Sequence, residues 1–138
     1  MSFSADYIRV LDDIGLNHSD VMTSDNDNLE LVYFNIDTKN VNSVKVQTIF
    51  AGNSVSITCN QICKVPDDKF GDGIYICNQL NDKYRFAKFV IDKDNDFYIQ
   101  ADAFLDENSG GEETWALVKT TLDKVDESYG ILMKAIYA

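Results

Sequence analysis

Val44-Lys45-Val46-Gln47-Thr48-Ile49-Phe50 is the stretch that decides the fold, because Val44, Val46, Thr48 and Phe50 alternate with Lys45 and Gln47. A period of two puts the first set on one face of a strand and the second on the other, which gives a sheet with one buried face and one wet face. Helices must then cover the buried side. On either side of this stretch, Leu29 to Ile36 and Ser54 to Val65 are rich in β-branched or aromatic residues. The turn signals Asp37 to Asn42 and Gly52-Asn53 separate the three runs, so an antiparallel meander is predicted.

Working outward toward the N-terminus, Phe3, Tyr7, Val10, Leu11 and Ile14 recur at steps of three and four, and Gly15 follows where a helix needs a left-handed residue to stop. Asn17 to Asn28 is dense in Ser, Asp and Asn and reads as a connecting loop. Toward the C-terminus, Pro66 followed by Asp67 and Asp68 marks a second helix start, since proline suits the first helical position and acids suit the dipole there. Phe70, Ile74, Cys77, Leu80 and Tyr84 continue that helix. Gly71 and Gly73 weaken its first turn by about 1 kcal/mol each relative to Ala, so an irregular start is expected.

Arg85 to Ile91 and Phe97 to Phe104 are two further strands, joined by the hydrophilic turn Asp92-Lys93-Asp94-Asn95-Asp96. Ser109-Gly110-Gly111-Glu112 has capping-box spacing, and Trp115, Val118, Leu122, Val125, Tyr129, Leu132 and Ile136 then mark the apolar stripe of a long last helix. The expected order is αβββαββα. It describes an α+β fold, a five-stranded antiparallel sheet packed with helices, as a single domain over residues 1–138.

The chain has 12 Lys plus Arg against 23 Asp plus Glu, a net charge of -11. That field repels nucleic-acid phosphates and anionic lipid, so neither nucleic acid nor membrane is expected as a partner. No stretch approaches the ~20 apolar residues that cross a bilayer, and the first residues lack a basic segment followed by an apolar run, so a cytoplasmic location is the expectation. Cys59, Cys63 and Cys77 are odd in number and fit no disulfide framework, and are read as reduced, buried thiols.

Asp92 to Asp96 opens like a calcium loop, but Phe97 occupies the glycine position and Ala103 the place of the closing glutamate, which favours a plain hairpin turn. His18, the only histidine, lies in a polar loop and reads as solvated rather than as a partner for a catalytic cysteine. The pairs Asp67-Asp68, Glu112-Glu113 and Asp126-Glu127 have no pocket in the sequence to raise a carboxyl pKa and are read as structural. Gly71-Asp72-Gly73 and Gly110-Gly111 lack the lysine spacing of a phosphate loop. No catalytic, cofactor-binding or metal-binding residue is expected, nor a cofactor, and the chain reads as a non-enzyme.

With the element order in hand, Ile76-Cys77-Asn78-Gln79-Leu80-Asn81, the strand Tyr84-Arg85-Phe86-Ala87-Lys88-Phe89-Val90-Ile91-Asp92 and the acidic turn into Phe97-Tyr98-Ile99 resemble the YbjN-domain family. The likeness continues through Ala101, Phe104 and Leu105 into the last helix, with motif-level similarity over about residues 74 to 125. Members of that family are described as bacterial sensory transduction regulators, and the family resembles the type III secretion chaperones in fold, proteins that are small, acidic and often dimeric. The resemblance implies a non-enzymatic regulator or chaperone-like protein-binding module, with a homodimer as one expected form. It carries no agreed functional residues.

For the interface, the candidates are Trp115, Tyr129 and Tyr137, large amphipathic side chains of the kind enriched at protein contacts. Leu117, Ile131, Met133 and Tyr137 extend apolar character beyond the stripe of the last helix. The alternative reading is a small-ligand sensor or enzyme with a pocket between helix and sheet.

Overall fold

The computed structural model describes residues 2–24 and 28–137. It holds helix α1 (Phe3–Asp13), strands β1 (Met22–Thr23), β2 (Glu30–Ile36), β3 (Val44–Ala51) and β4 (Ser54–Lys64), helix α2 (Phe70–Lys83), strands β5 (Lys88–Ile91) and β6 (Asp96–Phe104), and helix α3 (Gly110–Ile136). The six strands form one antiparallel sheet in the order β1-β2-β3-β4-β6-β5. The α+β class and the helix order agree with the sequence reading, but the expected five-stranded sheet has six strands among the described residues. The addition is β1, which pairs Met22 with Leu31 and Thr23 with Glu30 inside the predicted loop Asn17 to Asn28. Two residues are too few for a period to register. Residues 25–27 of that loop lie outside the described residues.

Local chemistry accounts for the element ends. The Ser2 hydroxyl accepts the Ala5 N–H at the start of α1. Gly15, at φ +76°, ends it: its N–H donates to the Asp12 carbonyl while Leu16 N–H reaches back to Leu11, the paired closure of a Schellman motif. The helix predicted from Pro66 opens on a single 3-10 turn over Asp67–Lys69, whereas Gly71 and Gly73, the expected source of irregularity, lie within regular α2. At α3 the capping differs from the expected box, because Glu113 and not Glu112 folds back, accepting from the Asp106 N–H and the Ser109 hydroxyl.

β3 is buried at every second residue, Val44, Val46, Thr48 and Phe50, as its sequence requires. These side chains meet Val32 and Phe34 of β2, Val55, Ile57 and Cys59 of β4, and Phe97 and Ile99 of β6 on one face of the sheet. α3 lies over β4 and β6, with α1 beside it toward β2 and α2 beside it toward β5. Tyr7 and Leu11 of α1, Cys77 and Leu80 of α2, and Val118, Val125 and Leu132 of α3 complete the same core.

The centre of α3's buried stripe is turned from the predicted one. Thr114, Val118, Thr121, Val125, Ser128, Leu132 and Ile136 are buried, whereas Trp115, Leu122 and Tyr129 lie half-buried along one flank. The three hydroxyls donate to the carbonyls four residues earlier, Gly110, Leu117 and Lys124. Each is therefore satisfied inside its own helix, and a short side chain lets α3 lie close to the sheet.

α3 also holds the β2–β3 connection. The Asp126 carboxylate accepts hydrogen bonds from the Thr38 hydroxyl at 2.7 Å, the Lys39 N–H at 3.0 Å and the Asn40 N–H at 2.8 Å. Burial alone would raise the pKa of this carboxyl, but the three donors outweigh it and hold the group below its ordinary range. A depressed folded-state pKa contributes stability above the unfolded pKa that is lost as pH falls through the folded one. Asp126→Asn should thus cost about 1 kcal/mol at neutral pH, allowing for solvent screening. In urea titrations the gap from wild type should close in strong acid, and a gap that persists there would assign the loss to shape rather than charge.

Candidate interaction face

The helices leave the other side of the sheet uncovered. Register fixes what stands there. One row across the strands runs Tyr33, Gln47, Thr58, Gln100 and Lys88, and the next runs Leu31, Ile49, Ser56 and Asp102. A third pairs Ala51 with Ser54 and Ser54 with Phe104. The face is graded. At the β3–β4 hairpin end it presents Leu31, Ile49, Phe104 at 80% exposure and Met22 at 45%, and at the opposite end it is rich in amides and hydroxyls.

At that polar end β4 breaks its register with β6 between Cys59 and Cys63, and Gln61 there adopts φ +61°. A non-glycine residue in the left-handed region within a bulge marks a place where the backbone re-aims its side chains. Beside it a groove of about 460 Å3 opens among Lys45, Asn60, Asp96, Tyr98 and Gln100. The Asn60 side-chain oxygen is shielded from solvent there and has no hydrogen-bond partner. Lys45 Nζ sits 4.7 Å from the centroid of the Tyr33 ring, and Ser56 donates to Asp102 at 2.6 Å.

The charge of this face departs from that of the whole chain. Its strands contribute three lysines, Lys45, Lys64 and Lys88, against two aspartates, Asp96 and Asp102, and Asp92 of the β5–β6 turn also lines the groove, so the face is balanced in charge within a chain of -11. Lys64 and Asp96 pair at 3.2 Å. The acidic excess lies elsewhere, on the helices, turns and loops.

Both edges of the sheet carry local protection. Along β2, Ser19 N–H donates to the Tyr33 carbonyl and the Tyr33 N–H donates to the Ser19 hydroxyl, with β1 pairing beyond them. Along β5, the Asn81 amide of α2 accepts the Phe89 N–H at 2.7 Å and donates to the Phe89 carbonyl at 3.0 Å. Backbone groups that would otherwise offer a pairing edge are satisfied at these points.

The residues singled out from sequence are dispersed. Trp115 is half-buried, its ring tilted against Phe34 at 6.5 Å, with Lys119 Nζ 6.0 Å from its centroid. Tyr129 is half-buried against the core just under two turns beyond Leu122 on the same flank, and Tyr137 is 68% exposed at the end of α3. Trp115 and Tyr129 are thus separated by about 21 Å of helix. The open face itself was foreshadowed only by Lys45 and Gln47.

Potential reactive groups have structural partners. His18 is not a solvated loop residue: its ring nitrogens lie 2.6 Å from the Ser19 carbonyl and 2.7 Å from Asp12, and the Ser19 carbonyl foremost raises its pKa. Burial pushes the Cys59 thiol up to about 12 and Cys63 and Cys77 up to about 11, the opposite of an activated nucleophile. Asp92 accepts the N–H groups of Asp94 and Asp96 within its own turn, and Glu127 pairs with Lys83 at 3.3 Å. No helix among the described residues is long and apolar enough to cross a membrane.

No curated protein and no solved structure matches the chain significantly. A family model described as "YbjN: Putative bacterial sensory transduction regulator" matches residues 42–130. The matched region runs from the start of β3 through β4, α2, β5 and β6 into α3, the part that supplies most of the open face. The chain belongs to the YbjN family.

Proposed function

We propose that this protein is a non-enzymatic regulator or chaperone-like module that acts by binding a polypeptide partner across the open face of its sheet. The observation that carries the reading is the combination of an uncovered face whose charges balance with a chain of net charge -11. Over most of the helices and turns a partner meets a strongly hydrated acidic surface, whereas the sheet offers apolar contact at one end and hydrogen-bonding amides at the other. Protection at both edges favours docking on the face over strand addition. The chosen occupant is a polypeptide of neutral or mildly acidic surface, and the family's description as a regulator agrees with it.

The test is to compare the tagged wild-type protein with Phe104→Glu and Thr58→Glu, which place carboxylates at the apolar end and in the middle row. Both positions point away from the core, so the midpoint of thermal unfolding should stay within a few degrees. A partner retained at fixed stoichiometry by wild type should be lost by at least about tenfold in affinity from each variant. Equal retention would overturn the assignment of this face. The rival reading of a small-ligand sensor draws on the groove beside the bulge, whose size lies in the range of ligand sites. A small molecule that stabilises wild type and competes with the protein partner would favour it.

A further inference from the structure

A second surface lies at the corner where the end of α2 and the segment entering β5 meet α3. A groove of about 250 Å3 opens there between Lys83, Tyr84, Arg85 and Phe86 on one side and Thr120 and Lys124 on the other. Three of the chain's 12 basic side chains line it, and among the described residues its walls include no carboxylate. The ammonium groups of Lys83 and Lys124 stand 5.2 and 4.8 Å from the centroid of the Tyr84 ring, which holds both at the groove. Lys83 is already paired with Glu127. Arg85 is exposed and makes no salt bridge among the described residues, and next to it Phe86 is 72% exposed.

These features select a class of ligand. A bare inorganic anion would satisfy Arg85 and Lys124 but leave the phenyl ring of Phe86 in water. The groove is smaller than the ~300 Å3 at which sites for whole small molecules begin, and so suits one or two side chains of something larger. An acidic peptide segment that also carries an apolar side chain meets both demands. One carboxylate takes the guanidinium fork of Arg85, another meets Lys124, and the apolar side chain covers Phe86. The acidic excess on the neighbouring helices, turns and loops repels such a segment, which favours this corner over its surroundings.

We propose that the α2–β5–α3 corner is a docking site for an acidic, apolar-containing segment of a partner protein, independent of the sheet face. The probe is a fluorescein-labelled peptide of alternating Glu and Leu, read by fluorescence anisotropy against the intact protein. Wild type should bind it. Arg85→Glu, Lys124→Glu and Phe86→Ser, all at the surface, should each weaken binding by about tenfold or more, with circular dichroism unchanged. Phe104→Glu on the sheet face should leave it unaltered, so that this site and the sheet-face reading fail separately. A peptide of alternating Glu and Ser should bind about tenfold more weakly. Absence of binding to wild type, or undiminished binding to Arg85→Glu, would overturn the proposal. Equal affinity for the Glu-Ser peptide, or ready displacement by inorganic phosphate, would replace it with a plain anion site.

Discussion

Asn81→Ala is expected to lower the free energy of unfolding by about 2–3 kcal/mol, although Asn81 itself lies at the surface. The cause is on its partner. β5 is the last strand of the sheet, and Lys88 and Val90 stand opposite Gln100 and Tyr98 of β6. In an antiparallel pair alternate residues turn their backbone groups outward, and Phe89 is the outward one. Its N–H and C=O both end on the Asn81 amide, while its ring is 1% exposed and packs against Tyr84 and Phe97. Truncation leaves two backbone groups beside a buried aromatic without a protein partner, and unmet groups of that kind cost about 1–3 kcal/mol each before water compensates. At roughly 3–5 °C per kcal/mol for a chain of this size, the unfolding midpoint should fall by about 6–15 °C. Asn81→Asp tests the geometry: it keeps an acceptor for the N–H but sets a carboxylate oxygen against the Phe89 carbonyl, so it should be at least as harmful as Ala. The freed edge should also make Asn81→Ala scatter more light on heating. A loss under about 0.5 kcal/mol would mean that water replaces the amide at both groups.

Asn81 also marks the limit of what could be read from the chain. It was visible in the segment Ile76 to Asn81 as part of a family likeness, but nothing local connects it with Phe89 eight residues later. The alternation of β3 did announce a sheet with one open face, because period two depends on neighbouring residues alone. What fills that face depends on register across five strands, including the shift after Cys59 in β4. The same holds for the basic corner, where Lys83 and Arg85 are close in sequence but Lys124 arrives only through the packing of α3 against α2. Hydrophobicity also misplaced the centre of α3. Trp115, Leu122 and Tyr129 carry more apolar area than Thr114, Thr121 and Ser128, yet the hydroxyl residues are the buried ones, each bonded within its own helix. Side-chain size decided the contact, and size is legible only once the distance to the sheet is known.

The two glycines near opposite ends of α3 should respond to the same substitution with opposite signs. Gly130→Ala adds a methyl group to an exposed helical position with nothing within 4 Å of it, so it should raise stability by up to about 1 kcal/mol through helix propensity alone. Gly111→Ala places its Cβ 2.7 Å from the carbonyl carbon and oxygen of Asp6 in α1. A backbone cannot rotate aside as a side chain can, so α1 must move as a unit from α3 and strain the packing of Tyr7 and Leu11 beneath it. Overpacking of that kind costs about 1–3 kcal/mol, and a propensity gain near the first turn offsets little of it. The expected net loss is about 2 kcal/mol, with Gly111→Val worse than Gly111→Ala. Hydrogen exchange locates the effect: the amides of α1 should lose protection in Gly111→Ala while those of β3 and β4 change only with global stability. If Gly111→Ala proved as stabilising as Gly130→Ala, α1 would have to rest on α3 more loosely than a 2.7 Å approach allows. Gly111 would then be no more than part of the helix start.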